Sequence, residues 1–244
     1  MHEIEEDLTE KKLKIVLVGD SGVGKTSIAL KFCNDEFSRQ YNPTSGLDFL
    51  KKNLSLGPYK NVTLHIWDVG GLALHGTMLD KYIYKAELIM LIYDVTNSSS
   101  FDVLEQWLDT IENIINNENY NENKKPLMVI VGNKCDMEHQ RSVKREKSHR
   151  LAAEKNLIYN DMSARTGESV SLCIANLAAK VLGVQLTQMD QDFCKPIVTA
   201  EIGDSVDMMS VQRPIKRQPN KKTCPNDYPI ITTLPKSSAV CILQ

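Results

Sequence analysis

The stretch Gly19-Asp20-Ser21-Gly22-Val23-Gly24-Lys25-Thr26 (GDSGVGKT) decides how the rest of the chain is read. It fits G-x-x-x-x-G-K-[ST], a loop that follows a strand, opens a helix and cradles phosphate. Gly22 and Gly24 let the backbone curl with its amides inward, so that Ser21, Gly22, Val23, Gly24, Lys25, Thr26 and Ser27 meet phosphate oxygens at a helix N-terminus. Lys25 is placed to reach the outer phosphates and Thr26 to bind magnesium. The flanks agree. Leu13 to Val18 (LKIVLV) reads as a short buried strand, and Ile28, Ala29 and Phe32 recur at helical spacing behind the loop.

Working outward, Val62 to Trp67 (VTLHIW), Leu88 to Val95 (LIMLIYDV) and Pro126 to Gly132 (PLMVIVG) are compact apolar runs bounded by polar turns. They read as central parallel strands. Phe101, Leu104, Leu108, Ile111 and Ile115 keep a helical rhythm between the last two, and Val170, Cys173, Leu177, Val181 and Leu182 repeat it later. Strands alternating with amphipathic helices predict an α/β fold, a doubly wound, mostly parallel six-stranded sheet flanked by helices. The rhythm stops near Val184, and six of the nine prolines follow it, which predicts a flexible tail. The expected division is therefore an acidic extension over 1–10, a nucleotide-binding domain over 11–185 and a tail over 186–244. Asn116 to Lys125 (NNENYNENKK) reads as a solvated loop insertion.

Three further motifs sharpen the chemistry. Asn133-Lys134-Cys135-Asp136 ends a strand, and the Asp136 carboxylate, an acceptor-only group, suits the two adjacent N–H donors that guanine offers and adenine does not. Trp67-Asp68-Val69-Gly70-Gly71 supplies a carboxylate and two glycines beside the expected phosphate, and Tyr41-Asn42-Pro43-Thr44 forms a loop before the second strand. In that arrangement Asp68 holds magnesium through water, the Gly71 amide meets the gamma phosphate and the Thr44 hydroxyl completes the metal shell. Ser163-Ala164-Arg165 lies later as a turn against the base. The expected ligands are GTP or GDP with Mg2+.

The set resembles the Ras superfamily of small GTPases over roughly residues 11–185, with the Rab branch fitting best through Ser45-Gly46-Leu47-Asp48-Phe49, Leu64-His65-Ile66-Trp67-Asp68 and Leu91-Ile92-Tyr93-Asp94-Val95-Thr96. The resemblance implies a GTP-binding switch in membrane traffic or ciliary transport. It puts Lys25, Thr44 and Gly71 in the catalytic constellation, Phe37 edge-on to the guanine, and Phe49, Trp67 and Tyr82 against effectors; core packing competes for Trp67 and Tyr82. It also implies effectors at the switch loops, an exchange factor, a Rab-type activating protein and a prenyltransferase as partners of a monomer. Leu79 to Tyr84 and the long tail are most similar to a divergent, cilium-associated Rab subtype.

The chain departs from that family where it matters for hydrolysis. After Gly71 the family carries a Gln that orients the attacking water, and here stands Leu72. Leucine cannot hydrogen-bond water, so a slow intrinsic GTPase is expected, with a constitutively GTP-bound adaptor as the alternative; an activating protein that brings its own glutamine would make Leu72 matter little. Gly70 stands where most Rabs carry Ala, and Leu72-Ala73-Leu74 is unusually apolar for an exposed switch. A metabolic ATP-dependent kinase shares the first loop but explains neither Asp136 nor the Thr44 loop.

The formal charge of −2 gives no general reason to bind nucleic acid. Six cysteines without C-x-x-C spacing point to a reduced, cytosolic protein, and no histidine has metal-ligand spacing. The start MHEIEED reads as neither a signal peptide nor a myristoylation site. Cys241-Ile242-Leu243-Gln244 reads as a C-a-a-X box with Cys241 as the prenylated residue and a terminal Gln that points to farnesyl. One lipid anchors marginally. Arg213, Lys216, Arg217, Lys221, Lys222 and Lys236 would assist on an anionic membrane surface, unless they only solvate a linker. The expected location is the cytoplasmic face of a membrane with a cytosolic pool, the cilium or basal body by resemblance.

Overall fold

Parallel pairing organises the chain, and it starts from the strand that feeds the phosphate loop. The computed structural model describes residues 11–117 and 125–193. Strand β1 (Lys11–Val18) lies between β3 (Tyr59–Val69) and β4 (Leu88–Asp94), parallel to both. Strand β5 (Leu127–Asn133) adds to β4 and β6 (Ile158–Asp161) to β5, again in parallel. Only β2 (Leu47–Leu56) runs antiparallel, at the edge beside β3. The order β2-β3-β1-β4-β5-β6 is the expected six-stranded, mostly parallel sheet.

Because side chains alternate across a strand, β1 feeds two cores at once. Ile15 and Leu17 face α1 (Lys25–Asn34) and α5 (Val170–Leu182), packing with Ile28, Phe32, Ile174 and Ala178. Val16 and Val18 belong to the other core, where Leu104, Trp107, Leu108 and Ile111 of α3 (Ser98–Asn116) are buried with Leu151 of α4 (Arg145–Glu154). A short α2 (Leu79–Ile83) closes the same side with Leu79 and Ile83. All seven residues of β4 are buried, which is why that run carries no alternation.

The element ends have chemical causes. The Asn97 side chain accepts the Ser99 N–H at 3.0 Å to start α3. Gly183 at φ 72° stops α5 by turning its N–H back to Ala179 and Lys180. One boundary differs from expectation. A further helix, α6 (Gln188–Phe193), lies inside the segment assigned to the tail. Thr187 and Asp190 cap it reciprocally, Thr187 N–H and Oγ1 donating to Asp190 Oδ2 at 2.9 and 2.8 Å, a start signal that hydrophobic rhythm does not contain. The acidic extension, the core of the Asn-rich insertion and Cys241 lie outside the described residues. Among the described residues no helix is long and apolar enough to cross a membrane.

The parallel order brings the C-terminal ends of β1, β3, β4, β5 and β6 to one edge. There the chain turns from β1 to β2 and β3 on one side and later to β4 on the other, which is where such sheets bind ligands. Phe101 anchors the second core, edge-on to the Tyr93 ring with centroids 4.9 Å apart. Phe101→Ala is expected to cost about 3–5 kcal/mol, read as a lower denaturant midpoint at unchanged slope.

Candidate functional site

The glycines of the first loop are needed for space as well as torsion. Gly19 sits at φ 141°, and a Cβ there would lie 2.1 Å from the Ile92 carbonyl oxygen. Gly24, at φ 97°, would put one 2.3 Å from Asn133 Nδ2. Lys25, the first residue of α1, folds over its own loop and donates to the carbonyls of Gly19 at 2.9 Å and Asp20 at 2.7 Å. Burial lowers its pKa to about 8, against the pull of Asp68 and Asp20. A desolvated ammonium held by neutral carbonyls has more to gain from an incoming polyanion than a solvated one does.

Beside it, three oxygen ligands converge. Asp68, next to last in β3, accepts from Thr26 Oγ1 at 2.5 Å and from Thr44 Oγ1 at 3.2 Å, and the two hydroxyls are 2.9 Å apart. Asp68 is fully buried and its Oδ1 has no hydrogen-bond partner. Burial raises its pKa against the hydrogen bonds of Thr26 and Thr44 and the charge of Lys25. No cluster of three or more His, Cys, Asp or Glu side chains among the described residues suits a metal, so a cation here would rest on hydroxyl and carboxylate oxygens. Those are the donors magnesium takes, and an orphaned carboxylate oxygen in a dry corner fits it.

The two glycines after Val69 hold the flanking loops close. The Gly70 N–H donates to the Gly46 carbonyl at 2.8 Å, and a Cβ on Gly70 would lie 2.6 Å from the Thr44 carbonyl oxygen. An alanine would have to push the Thr44 loop away, which gives the Gly70 departure a steric meaning. Gly71 approaches the first loop, its absent Cβ 2.4 Å from Ser21 N.

At the other end, the NKCD residues divide their work. Asn133 is buried; its Nδ2 donates to the Val23 carbonyl at 2.8 Å and its Oδ1 accepts the Ala164 N–H at 3.1 Å. Its amide thus ties the first loop to the last turn, a role no sequence motif announces. Lys134 reaches Asp94 Oδ2 at 2.6 Å and the Gly22 carbonyl at 3.1 Å. Asp136 accepts from Ser163 Oγ at 2.6 Å, with Arg165 3.8 Å from its second oxygen. The Cys135 thiol is pushed up to about 11, by burial first and then by Glu168, Asp161 and Asp136, so it is no thiolate at neutral pH.

A cleft of about 550 Å³ joins both ends, with Lys25, Thr26 and Thr44 at one and Asn133, Asp136 and Arg165 at the other. Phe37 and Leu72 line it, as do Arg39, Gln40 and Met137, which no motif marked. That volume suits a mononucleotide. Leu72 is 88% exposed while Leu74 packs into the second core, so the apolar switch segment splits between solvent and interior. Phe49 is exposed and meets the Trp67 ring edge-on at 5.9 Å. Trp67 is half-buried beneath Lys14, whose Nζ lies 3.6 Å from the ring centroid, and Tyr82 packs against the second core.

Comparison with known proteins agrees with this geometry. The Ras family matches residues 14–183. Among curated relatives, the chain is 34% identical to Ras-related protein Rab-28 of Caenorhabditis elegans over 82% of this chain and 79% of that one. It is 34% identical to Ras-related protein Rab-10 of the same organism, over 73% and 85%. Ras-related protein Rab-13 of Rattus norvegicus is 35% identical over 69% and 79%. The chain belongs to the Ras family of small GTPases, in its Rab branch.

The Lys25 environment has a measurable consequence. Phosphate oxygens beside Lys25 would raise a pKa that burial lowers to about 8, so a nucleotide complex would hold a proton that the free protein has partly lost above pH 8. Calorimetry of GDP binding to nucleotide-free protein in buffers of different ionisation enthalpy is expected to show proton uptake at pH 8.5 that fades by pH 7.

Proposed function

We propose that this Rab-family GTPase is a membrane-traffic switch that holds GTP with magnesium and hydrolyses it slowly when unaided. The reading rests on Leu72, which lines the cleft beside Gly71 and projects an apolar, 88% exposed side chain where water would have to be oriented. Thr26, Thr44 and Asp68 would hold the magnesium ion, which supplies positive charge to the phosphates. Lys25 would leave its two carbonyl partners for the phosphates, and the Gly71 amide would meet the gamma phosphate. Asp136 would accept from guanine, with Ser163, Ala164 and Arg165 shaping the base end and Phe37 against the ring.

On loss of the gamma phosphate the Thr44 and Gly71 loops lose a shared ligand, which is how effectors at Phe49, Trp67 and Tyr82 would distinguish the two states. An exchange factor and a Rab-type activating protein would then set the cycle in cells. Hydrolysis retains the charge of Lys25 and the metal but no side chain of this chain at position 72 to hold the nucleophile. A loss of about 10- to 100-fold corresponds to roughly 1.4–2.7 kcal/mol of barrier. Single-turnover hydrolysis is expected to speed up by that factor in Leu72→Gln, and equal rates would contradict the assignment.

The membrane attachment is proposed from sequence alone, with Cys241 as the prenylated residue and the tail cations assisting at an anionic surface. Cys241→Ser is expected to move a tagged full-length chain from the membrane fraction to the cytosolic one; an unchanged distribution would remove Cys241 from the account.

A further inference from the structure

Behind the base end of the cleft lies a polar network, buried at Tyr93 and Ser148 and reaching solvent at Glu138 and Arg145, that nucleotide binding does not itself use. Asp161, the last residue of β6, accepts from Arg141 Nη2 at 3.1 Å and Arg145 Nε at 3.2 Å through one oxygen. Its other oxygen accepts from Tyr159 Oη at 2.5 Å. Tyr159 Oη lies 3.1 Å from Tyr93 Oη, which is 2.7 Å from Ser148 Oγ of α4. Arg141 in turn donates through Nε to Glu138 at 2.8 Å, and Arg145 reaches the same carboxylate at 3.3 Å. Gly132 makes room: a Cβ there would lie 2.4 Å from Asp161 Oδ1 and 3.0 Å from Tyr93 Oη.

The members are the immediate neighbours of the base-site residues. Glu138 is two residues after Asp136, Asp161 two before Ser163, and Tyr93 one before Asp94, which holds Lys134. Backbone bonds complete the frame, with Met162 N–H donating to the Gly132 carbonyl at 2.8 Å and Cys135 N–H to the Met162 carbonyl at 3.3 Å. Burial, then the bond to Asp161, holds the Tyr159 phenol above its usual range, so it remains a donor. The Arg141 side chain is only 8% exposed. A buried ion pair is weak support for stability, since desolvation offsets its Coulombic gain, and its best-attested use is to fix one arrangement among several.

We propose that the Arg141–Asp161 pair is a positioning brace for guanine selectivity, holding the Asp136 loop and the Ser163 turn in the mutual register in which the Asp136 carboxylate meets two neighbouring donors. The proposal rests on the guanine reading of the cleft. Asp161 carries the brace on one side and Glu138 on the other, with Arg141 the fork between them. A displaced Asp136 would lose most on the ligand that offers both donors and less on the one that offers only the ring N–H.

Inosine diphosphate is that second ligand, because it lacks the 2-amino group of guanine. Equilibrium binding of GDP, inosine diphosphate and ADP to the full-length chain, wild type against Asp161→Asn, tests the brace. The GDP preference over inosine diphosphate is expected to fall by about tenfold in the variant, as displaced supporting groups elsewhere cost their sites. Glu138→Gln, on the exposed loop, cuts only one arm without threatening the fold and is expected to lower the same ratio about threefold. A lowered melting temperature with the ratio unchanged in both variants would make the network purely structural and overturn the proposal. Failure of the wild type to prefer GDP over ADP would instead overturn the guanine reading beneath it.

Discussion

One buried amide holds the cleft together. Asn133 joins the Val23 carbonyl of the first loop, 110 residues away in sequence, to the Ala164 N–H of the last turn. Buried without these partners, its donor and acceptor would cost about 1–3 kcal/mol each, so the loops are held at the distance the amide allows. Gly24 has no room for a Cβ for the same reason: the Asn133 amide occupies the space. The first loop and the Asp136 end are therefore tied into one frame at the C-terminal edge of the sheet.

The two ends of that frame differ in how their polar groups are paired. At one end Asp136 is paired with Ser163 and Arg165, with the network on Asp161 behind them. At the other end the desolvated Asp68 Oδ1 has no hydrogen-bond partner, and the Lys25 ammonium donates to two backbone carbonyls. The Thr44 and Gly71 loops meet at Gly70, whose missing Cβ leaves room for the Thr44 carbonyl. A cation at Asp68 would thus lie against the Thr44 loop, which Gly70 in turn ties to the Gly71 side.

Much of this was legible in the sequence wherever a property is local. The uniformly apolar β4 and β5 and the periodic α3 announce themselves, and the loop residues 19–26 dictate their own conformation. Trp107 is fully buried but lies between the positions of the rhythm that marks α3, so counting missed it. Strand β2 is a half-exposed edge and β6 only four partly buried residues, and neither stands out as a core run. The Thr187 to Asp190 cap that starts α6 is a polar signal outside the hydrophobic rhythm, so that rhythm does not reveal it.

The site divides along the same line. Side chains that touch a ligand sit in short motifs, because the chemistry demands fixed types at fixed spacing. Those that orient them do not: Arg141 and Asp161 meet across 20 residues only because β5 and β6 pair in one register, with Gly132 opposite Asp161. Asn133 was visible as part of a motif, yet its partners at Val23 and Ala164 are set by tertiary structure alone.

The proposed switch depends on these loops forming one cleft selective for guanine nucleotides. Equilibrium competition between GTP and ATP for nucleotide-free protein, with magnesium present, tests it most directly. A site built around the Asp136 carboxylate should favour GTP by about a thousandfold or more, because adenine leaves that acceptor unpaired. ATP binding within about tenfold of GTP would contradict the account.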